Sequence, residues 1–515
     1  RRRHTRCGRD WSSDVCSSDL QVPALIIVVP LLAALVVNLA GWIRHSLCFP
    51  AAACAMAAAW LSSIAVMARV ITEGTIIYRM AGWDPPWGIS WHIDHLNAVI
   101  LVLVSTVALI NMIATRASAA REFEGRQGTF YALYLLFVTG LMGIVITGDI
   151  FNLYVLLEVA SLSGYALLGM GGRRAAISSL NYLFMGTIGA SLYLFGAGYL
   201  YIITGSLNMA DIAAILPTLE NVGLIKVSFI LCIVGLFVKM ALFPMHTWLP
   251  NAYSHASNSS ASLIAPLTTK VMLYVMIRLI LTIYQPAFAF DRMGIASFIV
   301  WVAVIAILSG SILAWKQQRL KRMLAYIIVV EVGYMAGGFW LGNAAGMTGA
   351  VLHIVNDAMM TLCLFLAAGA IATRIAGDGF DNLQGLFSKM PFTMTAFVVA
   401  GLSIIGVPPT CGFFSKWYLL SGGIEAGHYA FAAALIISSL VNVLLFFKVI
   451  EIAYFEPFGH HHHHEHGQVV QEAPLDMLVP LIVTAGLLIV LGLYAQTLVN
   501  LIIEPAISSS ITASL

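Results

Sequence analysis

Stretches of mainly apolar residues, each long enough to cross a lipid bilayer as a helix, recur along this chain almost from end to end. A helix rises about 1.5 Å per residue and the hydrocarbon core is about 30 Å thick, so a span needs ~20 such residues. That ruler gives about fourteen candidates. They lie near 22–41, 50–71, 93–115, 129–147, 150–171, 178–203, 224–247, 259–284, 294–314, 322–341, 347–373, 392–421, 428–455 and 476–503. No run shows the sustained two-residue alternation of a membrane β-barrel. The fold class expected is therefore an all-α polytopic membrane protein.

Charge supports the same conclusion. Only 10% of the 515 residues are charged, where a soluble domain carries about 25%. Too few charges remain to cover so long a chain in water, which excludes a cytosolic enzyme, a secreted disulfide scaffold and a disordered chain. The formal net charge of +2 has no bias that would suit nucleic acid. Seven cysteines are scattered without a CxxC pair, and those within the spans read as small apolar fillers.

Residues 1–20 are polar and Arg-rich and stop abruptly before the first apolar run. They have no hydrophobic stretch of their own, so they do not read as a secretory signal. They resemble a translated sequencing adapter or cloning scar; the other reading is a genuine basic, disordered extension. Basic loop residues set the orientation. Arg44, Arg116, Arg121, Arg126, Arg173, Arg174, Lys316, Arg319, Lys321, Arg322, Arg374 and Lys389 all follow odd-numbered spans. The opposite side offers little beyond Arg69, Arg79 and Arg292. The positive-inside rule makes the first group cytoplasmic and places both termini outside a cell (inner) membrane.

The informative residues are ionisable groups inside the spans, since each costs at least ~2.5–3.5 kcal/mol to place there. Glu158 sits mid-span, Lys239 and Lys270 in two later spans, and Glu331 in another. His353 and Asp357 share a helical face at i and i+4, and Lys416 follows the double proline Pro408–Pro409. Structural ion pairs stitching helices together are the plain alternative. A buried Lys, however, loses its proton readily and a nearby Glu restores it, which is the chemistry of a proton relay. Pro244 and Pro250 end the span of Lys239, while Pro408 and Pro409 interrupt that of Lys416. Broken helices of this kind line ion sites in transporters.

The spacing also suggests duplication. Glu158 precedes Lys239, and Glu331 precedes Lys416, each by a similar interval and with the Lys on a proline-broken span. Inverted repeats are a common transporter plan. The expected organisation is one transmembrane domain over 21–503, with repeat one near 129–284 and repeat two near 294–455. A His-rich loop at 459–467 and a tail at 504–515 complete it.

The segments TGDIFNLYVLLEV (147–159), GLFVKMALFPMHTWLPNAYSHA (235–256), SLIAPLTTKVMLY (262–274) and GVPPTCGFFSKW (406–417) resemble the antiporter-like membrane subunits. That family includes the D subunit of Mrp-type cation/proton antiporters and the related subunits of respiratory complex I and membrane-bound hydrogenases. The resemblance covers most of 21–503 and is sharpest at FPxHxWLP, Phe243 to Pro250. It implies a fourteen-helix fold with helices 7 and 12 broken and two inverted five-helix repeats. It further implies that Glu158 pairs with Lys239, that Lys270 continues the relay, and that Lys416 passes protons to the far side. His246 falls on the signature His and is either structural or an aid to proton entry; His255 is a second accessory candidate. Three positions depart from the pattern. Asp357 and Thr361 stand where relatives often have His and then Lys, and Glu331 stands where many have a neutral polar residue or His. The centre of the second half is thus more acidic.

His460 to His464 with His466 form a tract that could bind Zn or Ni. Without fixed ligand spacing it reads as a solvated low-complexity insert. No cofactor is expected: neither a GxGxxG fingerprint nor a P-loop occurs at a usable place. The expected function is a proton-translocating subunit of a larger membrane complex, exchanging Na⁺ in an Mrp assembly. The alternative is a pump subunit of a complex-I-like or hydrogenase complex, whose redox catalysis would lie in other subunits. Its partners would be those membrane subunits and the lipid bilayer. A membrane enzyme with the His tract or His246 and His255 as metal ligands is the competing class.

Overall fold

In the computed structural model, the structure describes residues 21–219, 222–375, 377–455 and 471–507. Residues 1–20 and the His-rich tract lie outside them. The chain begins with α1 (Val22–Ile43) and α2 (Cys48–Glu73), followed by a hairpin of β1 (Ile76–Arg79) and β2 (Ser90–Ile93). Next come α3 (His95–Ala114), the short α4 (Arg116–Glu122), α5 (Gln127–Ile146), α6 (Ile150–Gly169) and α7 (Arg173–Thr204). After α8 (Met209–Ile215) lie α9 (Val222–Lys239), α10 (Trp248–His255) and α11 (Asn258–Arg278). The second half holds α12 (Ala296–Trp315), α13 (Leu320–Trp340), α14 (Ala344–Ala372) and the one-turn α15 (Leu386–Lys389). It continues through α16 (Pro391–Ile405), α17 (Cys411–Glu425) and α18 (Tyr429–Phe455) to α19 (Leu475–Leu493) and α20 (Ala495–Leu498).

Thirteen helices among the described residues are long and apolar enough to cross a membrane. The remaining crossing is shared by α16 and α17, fifteen residues each, separated by a break. The all-α class and the fourteen crossings therefore hold, with the short β1–β2 hairpin as an addition. Its strands are too brief to show periodicity, and of β2 only Ile93 falls within an expected apolar span.

Helix starts follow side-chain capping. Asp94 accepts from Asn97 N–H and begins α3; Asp149 accepts from Phe151 and Asn152 N–H and begins α6. Ser257 and Asn343 do the same for α11 and α14. The first break differs from the expected ending. Helix α9 stops at Lys239 itself, because Ala241 takes a positive φ of 60° that a right-handed helix cannot contain. Pro250 does not end the span: it falls in the first turn of α10, where its missing N–H costs nothing. At the second break Gly406 takes φ 94°, a conformation that favours glycine.

Helices α11, α13 and α14 form the centre, with nearly every side chain buried. A helix apolar all round belongs in such a core. The peripheral α1, α2, α7, α12 and α18 expose Leu35, Leu61, Phe195, Trp301 and Phe447, as lipid-facing helices do. On the loop side away from Arg116 and Arg121, the hairpin ties several helices together. Trp91 bridges to Thr147 before α6, and Asn208 Nδ2 donates to Ser90 Oγ at 2.9 Å. Asp94 pairs with Arg278 at the end of α11. Burial would raise the Asp94 carboxyl, but Arg278 and the N–H groups of Asn97 and Leu96 hold it below the usual carboxylate range.

Candidate functional site: a line of buried charges

The ionisable residues of the spans gather into three groups at the helix breaks and in the central helices. In the first, Lys239 ends α9, and its Nζ lies 3.7 Å from Glu158 Oε1 of α6. The same ammonium donates to Ser161 Oγ at 2.8 Å. Lys239 is 3% exposed, whereas Glu158 is 26% exposed. That difference decides which partner can meet its surroundings: Glu158 lies on the outward stripe of α6 with Phe151, Val155 and Leu162.

The second group joins the halves. Lys270 of α11 and Asp357 of α14 form an ion pair of 2.8 Å, at 1% and 0% exposure. Thr361, one turn on, donates to Asp357 Oδ1 at 2.9 Å. Asp357 and Thr361 thus act together, one as the carboxylate and the other as its hydrogen-bond donor. Removing one member of a buried pair typically costs ~3–5 kcal/mol, because the other charge is left unpaired.

In the third group, Glu331 of α13 bonds His353 Nε2, and His353 Nδ1 lies 2.8 Å from Ser415 Oγ of α17. Ser415 can also donate to Gly412 O at 3.2 Å. Its hydroxyl therefore donates to a neutral imidazole or, turned to Gly412, accepts from an imidazolium. Both protonation states of His353 fit the same heavy atoms. Although they share a helical face in α14, His353 and Asp357 address different partners. The parallel with Glu158–Lys239 does not extend to a Glu331–Lys416 ion pair. Lys416 instead donates to Ile404 O at 2.6 Å and Ser439 Oγ at 3.1 Å, and lies 4.9 Å from the Tyr334 ring centre. Ile404 offers this carbonyl because α16 ends one residue later. A cavity of about 270 Å³, lined in part by Lys416, Trp417 and Ser439, opens beside it.

His246 and His255 lie apart from these groups. His246 is buried in the α9–α10 break and stacks on Phe243, with ring centroids 5.2 Å apart. His255 ends α10, with its Nδ1 2.8 Å from Ser178 Oγ. Among the described residues, no group of three His, Cys, Asp or Glu could hold a metal ion. Sequence reasoning did not single out Ser161, Ser415 or Ser439. Ser161 follows Glu158 by one helical turn and Ser415 adjoins Lys416, but hydroxyls are common in membrane helices and carry no distinguishing signal.

Residues 147–442 match the family described as NADH:quinone oxidoreductase/Mrp antiporter, transmembrane. The chain belongs to this family. It is 39% identical over 496 residues to the N subunit of the NADH-quinone oxidoreductase of Desulforudis audaxviator, covering 94% of this chain and 98% of that one. It is 29% identical over 437 residues to the D subunit of the Na⁺/H⁺ antiporter of Alkalihalophilus pseudofirmus, covering 85% and 86%. Among solved structures it resembles a chain of the archaeal membrane-bound sulfane sulfur reductase, with TM-score 0.85, 28% identity, and 95% and 98% coverage. A chain of the Mrp complex from Dietzia sp. shares the fold, with TM-score 0.84, 23% identity, and 96% and 99% coverage. The protein is thus an antiporter-like, multi-pass membrane subunit of the Mrp or complex I type, and its structural neighbours are parts of multi-subunit membrane assemblies.

Proposed function

We propose that this subunit translocates protons along a mid-membrane line through Glu158, Lys239, Lys270, Asp357, His353, Glu331 and Lys416. The observation that carries the reading is the Lys270–Asp357 pair, in which each half contributes one fully buried charge to a shared contact. A desolvated ammonium gives up its proton when its counter-ion moves away and regains it when the counter-ion returns. Opening and closing of Glu158–Lys239 and Lys270–Asp357 in turn would hand a proton from the first half to the second. His353 would accept it beside Glu331, and Lys416 would release it. The two halves act as inverted repeats, over about 129–284 and 294–455.

The basic loops lie on the cytoplasmic side, and the termini outside. The 39% identity to a quinone oxidoreductase subunit favours a redox-coupled pump over Na⁺/H⁺ exchange. In the whole complex, reconstituted into proteoliposomes, Glu158→Ala should reduce proton flux about a hundredfold while assembly persists. A barrier of ~2.7 kcal/mol, the scale of one uncompensated charge in the membrane, corresponds to that factor. Flux at the wild-type rate would overturn the relay. Flux that requires Na⁺ on the opposite side would identify exchange instead.

A further inference from the structure

Far from the relay, the ends of several helices meet on the side of the basic loops, and each brings an arginine. Helix α1 ends at Arg44, α5 begins after Arg126, and Arg116 opens α4 directly after α3. A Cβ on Gly41 would lie 2.8 Å from the Gly128 Cα, so the backbones of α1 and α5 touch here. Arg44 lies three residues beyond that contact on α1, and Arg126 two residues before it on α5. Arg116 reaches the same place: its Cζ lies 4.9 Å from the ring centre of Phe49 at the start of α2. Phe49 in turn packs edge-on against Tyr131 of α5, with ring centroids 6.0 Å apart.

All three arginines are exposed, and among the described residues none of them pairs with a carboxylate. The neighbouring Glu122 is occupied, since its oxygens accept from the N–H groups of Asn258 and Ser259 at 3.1 and 3.2 Å. Arg44 and Arg116 suit the C-terminal ends of the helices they follow. Arg126 does not: it stands at the N-cap of α5 without a side-chain bond, and no acid lies in the first turn. A cation at the positive end of a helix is unfavourable alone and favourable when an anion sits between the two.

Depth and apolar surroundings identify the anion. Helices α1 and α5 hold 22 and 20 residues, close to the ~20 that cross the hydrocarbon core, so their ends lie at headgroup level. Just before Arg44, α1 exposes Trp42 and Ile43 by 82% and 84%, and the exposed strip continues through Leu39 and Leu35. Tryptophan at this depth is an interfacial anchor. An apolar strip that ends in unpaired arginines matches a lipid, with acyl chains along the strip and the phosphate at its end. A water-soluble anion would gain nothing from the strip.

From this juxtaposition we infer that Arg44, Arg116 and Arg126, with the exposed strip of α1, bind one anionic phospholipid of the leaflet on the basic-loop side. Arginine presents a fork of donors that fits phosphate oxygens, so Arg44 and Arg126 grip the headgroup from two helices. Arg116, held over Phe49, adds charge to the same spot. The lipid ties together the ends of α1, α2 and α5, and its site stands or falls separately from the relay.

Native mass spectrometry of the intact complex, delipidated and then incubated with a single lipid, tests the site. The released wild-type subunit should keep one phosphatidylglycerol. Phosphatidylcholine, whose phosphate is offset by its own ammonium, should bind about tenfold more weakly. Arg44→Gln/Arg126→Gln should weaken phosphatidylglycerol binding about tenfold. Lys316→Gln/Lys389→Gln removes two exposed charges elsewhere on the same side and should bind like wild type. Unchanged binding in the arginine variant overturns the site, as does an equal loss in the lysine variant or equal binding of phosphatidylcholine. Should the double variant fail to assemble, Arg126→Gln alone should weaken binding about threefold, and wild-type binding there overturns the site equally.

Discussion

Replacing Lys270 and Asp357 together by Met and Leu should leave a stable, assembled complex that moves no protons. Both charges lie at most 1% exposed within the central helices. Exchanging a buried ion pair for apolar groups of similar volume is often neutral or stabilising, because two desolvation penalties vanish with the attraction. The single changes should behave differently. Lys270→Met strands the Asp357 carboxylate, and Asp357→Leu strands the ammonium, each at a cost of ~3–5 kcal/mol. Thermal unfolding of the detergent-solubilised complex should therefore rank the double variant above either single one. A purely structural pair predicts recovery of transport along with stability in the double variant. The relay predicts recovery of stability alone, with flux down about a hundredfold or more.

His353→Gln should also abolish transport, but for a different reason. The Gln amide can still donate to Glu331 and meet Ser415, so the buried carboxylate keeps a partner and the helices keep their packing. What disappears is the imidazole ring, either of whose two nitrogens can carry the proton between Glu331 and Ser415. Assembly and unfolding temperature should change little, while proton flux falls about a hundredfold. A variant transporting at the wild-type rate would show that His353 only supports Glu331.

The residues legible in the sequence were those whose burial is expensive. Glu158, Lys239, Lys270, Glu331, His353, Asp357 and Lys416 stood out because a charge in a membrane span needs a reason. Their partners were less legible. The similar Glu-to-Lys intervals in the two halves suggested equivalent pairs, yet only Glu158 and Lys239 meet as an ion pair; Glu331 meets His353. Pairing depends on rotamers and on which faces of α13, α14 and α17 touch, and residue spacing along one chain does not encode that. The Asp357 departure acquired its meaning only when Lys270 was found opposite. The breaks were marked by prolines, but their positions were set by Ala241 and Gly406, whose left-handed backbones close the preceding helices. The hairpin and its Asp94–Arg278 tie went unnoticed because four-residue strands show no usable period.

The central claim is that one line carries protons through both halves, so the most direct measurement cuts it where the second half ends. Proton flux should be followed with a pH-sensitive dye in proteoliposomes holding the whole complex, comparing wild type with Lys416→Met. Met fills much of the space of the Lys stem beside Tyr334 and removes only the ammonium that donates to Ile404 O and Ser439 Oγ. The account predicts an assembled complex whose flux falls to that of protein-free vesicles. An assembled Lys416→Met complex pumping at the wild-type rate would contradict it.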